Sequence, residues 1–256
     1  MKLIKKDRLA VQIYNTRSEM GKAAASDIKA CILELLEKKE CVNMIFAAAP
    51  SQNEVLAALA ADKDIAWNRI NAFHMDEYIG LSADAPQGFG NFLKEHLFGL
   101  CDFKKVFYID ITALDAQAEC MRYSELLREY PTDIVVMGIG ENGHIAFNDP
   151  PVADFKDPKA VKTVELDEVC RNQQVHDGCF ASIELVPKTA ITLTVPTLFG
   201  GGRLFCIVPA ATKAKAVRDT LCGEIGEHCP ATVLRLHENA ALYLDPDSSA
   251  LIGDVQ

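Results

Sequence analysis

The chain has no Cys-x-x-Cys pair, no His-x-x-x-His pair and no run of lysines and arginines. It also has no apolar stretch near the ~18 residues that a membrane span needs. Each absence closes off a class of function. Without paired cysteine or histidine spacing, neither a metal centre nor a dithiol redox motif is indicated, and no cofactor is expected. The nine cysteines sit mostly among apolar neighbours, as in Leu204-Phe205-Cys206-Ile207, and read as reduced thiols of a cytosolic protein. Positive charge is the minority, with 26 Lys and Arg against 36 Asp and Glu and a net charge of -10. A nucleic-acid partner is therefore not expected, because a phosphate backbone calls for a basic face. No basic segment followed by a long apolar one opens the chain, so a soluble, cytoplasmic protein without a membrane partner is expected.

What is present is apolar enough to fold. With 256 residues, 49% hydrophobic and 24% charged, one α/β domain over 1–256 is an ordinary size. Short β-branched or apolar runs at 42–46, 69–74, 104–109, 133–137, 161–166, 189–195, 204–208 and 240–244 predict strands, and 9–14 predicts a short edge strand. Between them, 17–39, 54–61, 91–98, 114–130, 167–175 and 209–221 predict helices, the first with Met20, Ala24, Ile28, Ile32 and Leu35 near one face. Residues 189–195 and 204–208 read as two strands separated by the Gly200-Gly201-Gly202 turn, and 151–158 as a surface loop or lid. Strands alternating with helices imply a Rossmann-like three-layer domain, with a mostly parallel central sheet and helices on both faces.

Polar groups cluster just past three of these strands. Gly138-Ile139-Gly140-Glu141-Asn142-Gly143-His144-Ile145-Ala146-Phe147-Asn148-Asp149-Pro150 follows an unbroken apolar run, at the sheet end where open α/β folds bind ligands. The Gly-x-Gly-x-x-Gly spacing alone would suggest a dinucleotide site, but it lies mid-chain and lacks the acidic residue after the next strand. His144 is the one side chain in this loop that exchanges protons near neutral pH without help. Asn142 and Asp149 are close enough in sequence to orient it. A second cluster, Ser51-Gln52-Asn53, opens a helix, where backbone N–H groups collect anions; many helices are capped this way without binding anything. The third, Met75-Asp76-Glu77-Tyr78, reads in isolation as a solvated helix start with Asp76 as its cap. Taken with His144, Asp76 would make an acid/base pair suited to moving a proton next to a carbonyl.

Phe73-His74-Met75-Asp76-Glu77-Tyr78-Ile79-Gly80-Leu81 and the central loop from Gly138 to Pro150 together resemble the glucosamine-6-phosphate deaminase (isomerase) family. The order and separation of the two motifs match, and the resemblance runs through Lys213 to the final strand. It implies conversion of a 2-amino-2-deoxy-hexose 6-phosphate and water to fructose 6-phosphate and ammonia, without metal or redox cofactor. The family's proton acceptor falls on Asp76 and its ring-opening histidine on His144. Its two assisting acidic residues fall on Asn142 and Asp149, an asparagine and a shorter carboxylate in this chain, and Glu141 is a possible substitute for the missing charge. Substrate contacts fall on Ser51, Gln52, Asn53, Gly143 and Lys213.

The family's phosphate-binding arginine has no counterpart in 173–180, and Arg171 aligns with a different arginine. The partner implied is a small phosphosugar, bound by a monomer or a homo-oligomer. Two other readings stay open: a 6-phosphogluconolactonase-type lactone hydrolase of the same fold, and a non-catalytic sugar-phosphate sensor.

Overall fold

The computed structural model describes residues 1–253, so the last three residues of the domain expected over 1–256 lie outside the described residues. In chain order the elements are β1 (Lys2–Lys6), β2 (Leu9–Ile13), α1 (Arg17–Leu36), β3 (Val42–Phe46), α2 (Asn53–Ala61), β4 (Ile70–His74), β5 (Asp76–Tyr78) and α3 (Phe89–Leu93). There follow β6 (Lys105–Phe107), α4 (Ala116–Glu129), β7 (Ile134–Met137), β8 (Val161–Glu165), α5 (Glu168–His176), β9 (Thr189–Leu193), α6 (Val195–Phe199), β10 (Arg203–Val208), α7 (Ala214–Cys222) and β11 (Ala240–Leu244).

Unbroken apolar runs make strands that need cover on both faces, and the central strands have it. Side chains alternate along each strand. Met44, Phe46 and Val136 therefore join a core with Met20, Ile28 and Ile32 of α1 and Val55 and Leu56 of α2. Ile45, Val135 and Met137 point the other way, to a second core with Tyr123 and Leu127 of α4 and Val217 and Leu221 of α7. Each such side chain, fully buried, stabilises the fold by about 1.5–3 kcal/mol before conformational entropy is counted. The result is the three-layer α/β architecture expected.

Strand order in the main sheet is β1-β2-β11-β10-β7-β3-β4-β6, parallel except for β1. The chain builds outward from β3 through β4 to β6, returns to the middle at β7, and then builds outward on the other side through β10 and β11. Between β3 and β7 the order reverses. Loops leaving these two neighbours at their carboxyl ends part to opposite faces, which opens a crevice there.

Four local expectations need correction. The 9–14 segment is not an edge strand, because β1 pairs with it as an antiparallel hairpin, Lys6 facing Leu9. The two strands expected at 189–195 and 204–208 are present as β9 and β10, but α6, which takes Val195 and has a proline in its first turn, lies between them ahead of the glycine turn. β9 belongs to a small antiparallel sheet, β5-β9-β8. Asp76 does not start a solvated helix; it begins β5, opposite Thr192 of β9, and all three β5 residues are buried. Residues 91–98 are helical from Phe89, and the helix finishes in a wider π turn over Lys94–Phe98.

Candidate active site

Met75 links the two sheets. Its N–H donates to the Phe46 carbonyl at the end of β3 (3.3 Å), and its own carbonyl accepts from Leu193 of β9 (2.8 Å). This crossover delivers Asp76 to the crevice. Because successive strand side chains point oppositely, the adjacent carboxylates have separate tasks. Glu77 turns away from the cleft and accepts backbone N–H bonds from Tyr78 (2.9 Å), Phe89 (3.0 Å) and Gly90 (2.8 Å), capping the start of α3. Asp76 lines the cleft. Burial, reinforced by the charge of Glu77, pushes its carboxyl well above the usual range.

His74 fixes Asp76 from behind. Its Nε2 accepts the N–H of Ile109 (2.9 Å), so the ring proton lies on Nδ1 and is donated to the Asp76 carbonyl (2.9 Å). Burial lowers this imidazole to about 4, which keeps it neutral at physiological pH.

On the other side of the crevice, the loop after β7 carries His144. A β-carbon on Gly140 would stand 2.1 Å from Cε1 of the imidazole, so only glycine lets the ring lie against this turn. Gly143 has φ +85°, and a β-carbon there would also meet the Cys229 sulfur at 2.5 Å. The ring's Nδ1 lies 2.8 Å from Asn142 Oδ1 and 2.8 Å from Asp149 Oδ1, and the Asn142 amide donates to that same carboxylate oxygen (2.9 Å). Two acceptors facing Nδ1 place the proton there, which leaves Nε2 free to exchange one. Burial works to raise Asp149, but the neighbouring imidazole and hydrogen bonds from His144, Asn142 and Cys170 outweigh it and hold the carboxyl below its ordinary value. Asp149 therefore supplies the charge and Asn142 the orientation. Glu141 is not a substitute: its carboxylate faces His176 Nδ1 at 3.5 Å and makes no ion pair with His144 among the described residues.

Two helix starts complete the walls. Pro50–Gln52 forms a short 3-10 turn leading into α2, and Ala211–Lys213 one leading into α7. Ser51, Gln52 and Lys213 line the cleft. Gln52 is fully buried; its amide donates to the Ile207 carbonyl (3.2 Å), and its Oε1 has no hydrogen-bond partner among the described residues. Lys213 is only 4% exposed, and burial lowers its ammonium despite the nearby charges of Asp177 and Glu141. The cleft is backed by a stack of Phe89 on Phe147.

The structure thus brings Asp76, His144, Ser51, Gln52 and Lys213 to one cleft. Asn142 and Asp149 stand behind His144, while Asn53, the first residue of α2, and Gly143 are outside the cleft wall. Arg171 donates to the carbonyls of Ile183 and Val186 and is likewise outside. Sequence reasoning missed Gln173 and Gln174, which line the cleft from α5. The signal was their spacing from Cys170, at i, i+3 and i+4, which sets all three on one buried helix face.

The donor atoms of His144, Asp149 and Cys170 lie within 4.8 Å of one another, a set that a divalent cation could use. Hydrogen bonds account for the cluster without one. Burial drives the Cys170 thiol well above its normal range and keeps it protonated, and His144 Nδ1 is already engaged.

Fold and cleft together define a doubly wound α/β protein with a buried acid, a histidine and a lysine converging at its switch point. The chain belongs to the family described as glucosamine-6-phosphate isomerases/6-phosphogluconolactonase, whose profile matches residues 15–243. A glucosamine-6-phosphate deaminase of Listeria monocytogenes is 33% identical over 223 residues, which cover 86% of this chain and 93% of the relative. A solved monomeric glucosamine-6-phosphate deaminase superposes with a TM-score of 0.86 at 30% identity, covering 94% of this chain and 99% of the other. The 6-phosphogluconolactonase of Thermotoga maritima shares the fold, with a TM-score of 0.75 at 19% identity over 93% of this chain and 99% of the other.

Proposed function

We propose that this protein isomerises and deaminates glucosamine 6-phosphate, or a close hexosamine 6-phosphate, giving fructose 6-phosphate and ammonia. The observation that carries the reading is that Asp76 and His144 line one cleft, which Lys213 also lines. The deaminase relatives named above support it.

His144 Nε2 takes the proton of the anomeric hydroxyl and returns it to the ring oxygen as the C1–O5 bond breaks, leaving an aldehyde at C1. Asp76 then removes the C2 proton. The electrons form a C1–C2 double bond, the C1 oxygen collects a proton as hydroxyl, and the amino group stays on C2. Returning the proton from Asp76 to C1 converts the C2–N bond to an iminium. Water adds there, and ammonia leaves as the C2 ketone forms. Asn142 and Asp149 hold the ring that opens the sugar, and Ser51, Gln52 and Lys213 hold the phosphate with the uncapped starts of α2 and α7.

A lactonase needs no base at a sugar carbon, so the buried Asp76 favours the deaminase. The chain works as one domain over 1–256, a monomer or a homo-oligomer, in the cytoplasm, with no nucleic acid or membrane partner. Its nine unpaired cysteines fit a reducing compartment, and no helix among the described residues is long and apolar enough to cross a membrane. The test is to supply purified protein with glucosamine 6-phosphate and follow both products. Absence of ammonia at ~10 mM substrate, above the usual range of KM, would overturn the proposal.

A further inference from the structure

Lys213 is held in a position that the chain does not adopt by local preference. Three residues before it, Ala210 has φ +83° and ψ 149°, a backbone region occupied almost only by glycine because a β-carbon collides there. An alanine stays in such a conformation only when its surroundings insist on it. The strand pairing shows what insists. β10 and β11 are parallel neighbours with Val208 opposite Leu244, so Ala210 and Asp245 leave the sheet side by side. The Ala210 N–H is shared by both carboxylate oxygens of Asp245, at 3.2 and 3.1 Å. Asp245 is only 3% exposed, accepts a further N–H from Ser248 (2.8 Å), and has no ion-pair partner among the described residues. The Ala210 carbonyl then accepts the Lys213 N–H (3.1 Å), closing the turn on which the lysine sits.

We propose that Asp245 is a positioning residue for ligand binding: its carboxylate pins Ala210 in the strained conformation and thereby aims Lys213 into the cleft. A buried carboxylate satisfied by backbone N–H groups alone is costly, and an apolar residue would fill the same place if packing were its whole purpose. Asp245 does not line the cleft; it acts through two hydrogen bonds and one backbone conformation. The proposal rests on the reading of Lys213 as the phosphate contact, and the test separates the two.

Inorganic phosphate is the probe, so no turnover is required. Its affinity is measured by calorimetry for the unaltered protein and for Lys213→Ala, Asp245→Ala, Asp245→Asn and the double variant Asp245→Ala with Ala210→Gly. A misaimed lysine loses a charge-assisted hydrogen bond, so Asp245→Ala weakens phosphate binding about tenfold or more. In turnover, KM rises in parallel while kcat changes little. Asp245→Asn, which keeps one acceptor oxygen, falls in between and serves if the alanine variant does not fold. The decisive result is rescue: glycine needs no support in this conformation, so Ala210→Gly restores most of the affinity lost by Asp245→Ala. If Lys213→Ala leaves phosphate affinity unchanged, the lysine assignment falls. If Lys213→Ala weakens binding but Asp245→Ala does not, or if the glycine restores nothing, the positioning role falls.

Discussion

Nδ1 of His144 lies 2.8 Å from Oδ1 of Asp149, and both side chains are buried. The carboxylate adds a negative charge to the site where Asn142 Oδ1 also holds the Nδ1 proton. Asp149→Asn keeps the shape but removes the negative charge that supports the imidazolium formed when Nε2 takes a proton, while Asn142 Oδ1 still faces Nδ1. The expected loss in kcat is about 10²–10⁴-fold, the span of a general acid–base contribution. His144→Gln should slow the closed-ring substrate more than an open-chain analogue; equal losses on the two would refute the ring-opening role.

Asp76→Asn should abolish exchange of the C2 proton with deuterium from solvent, followed by proton NMR, while phosphate binding persists. The same change should stabilise the fold at neutral pH. The Asp76 carboxyl is raised in the folded protein, so the folded chain binds that proton more tightly than the unfolded one, and stability falls as pH rises from the usual carboxylate range through the raised value. A thermal melt showing no gain in Tm for Asp76→Asn would contradict the buried-charge account.

The pH profile of kcat/KM should be bell-shaped. As the proposed base, Asp76 must be ionised, so the acid limb falls as pH drops through a value above the ordinary carboxylate range. In the proposed role of phosphate contact Lys213 must be protonated, and its value is lowered by burial. The alkaline limb therefore begins below the range of an exposed lysine. Lys213→Arg should move this limb to higher pH, since guanidinium does not deprotonate; an unmoved limb assigns it to another group.

Gly140→Ala should reduce turnover while leaving the fold largely intact, because the new β-carbon collides with the His144 ring. A displacement of about 1 Å at a catalytic group costs on the order of 10²-fold. The far-ultraviolet circular dichroism spectrum should be unchanged, and full activity would show that the ring has room to shift.

Much of this protein is legible along its chain. The apolar runs at β3, β7 and β10 announce strands covered on both faces, and the stripe from Met20 to Ile32 announces the inner face of α1, because burial pattern and period are local properties. The residues of the cleft stand directly after such strands, so their position at the carboxyl ends follows from the alternation of elements. Burial is not local. Asp76 and Glu77 are indistinguishable as neighbours in sequence, and it is the pairing of β5 with β9, more than a hundred residues later, that turns one into the cleft and the other to the start of α3.

The sequence by itself determined the layered α/β fold, through the order of its elements, and marked the family, through the resemblance of its two motifs, which in turn suggested roles for Asp76, His144 and Lys213. Tertiary structure alone decided that Asp149 reaches His144 while Glu141 does not, that Gln173 and Gln174 line the cleft, and that Asp245 supports Ala210. Those relationships depend on distances between segments far apart in sequence, and such distances exist only once strands have paired and helices have packed over them.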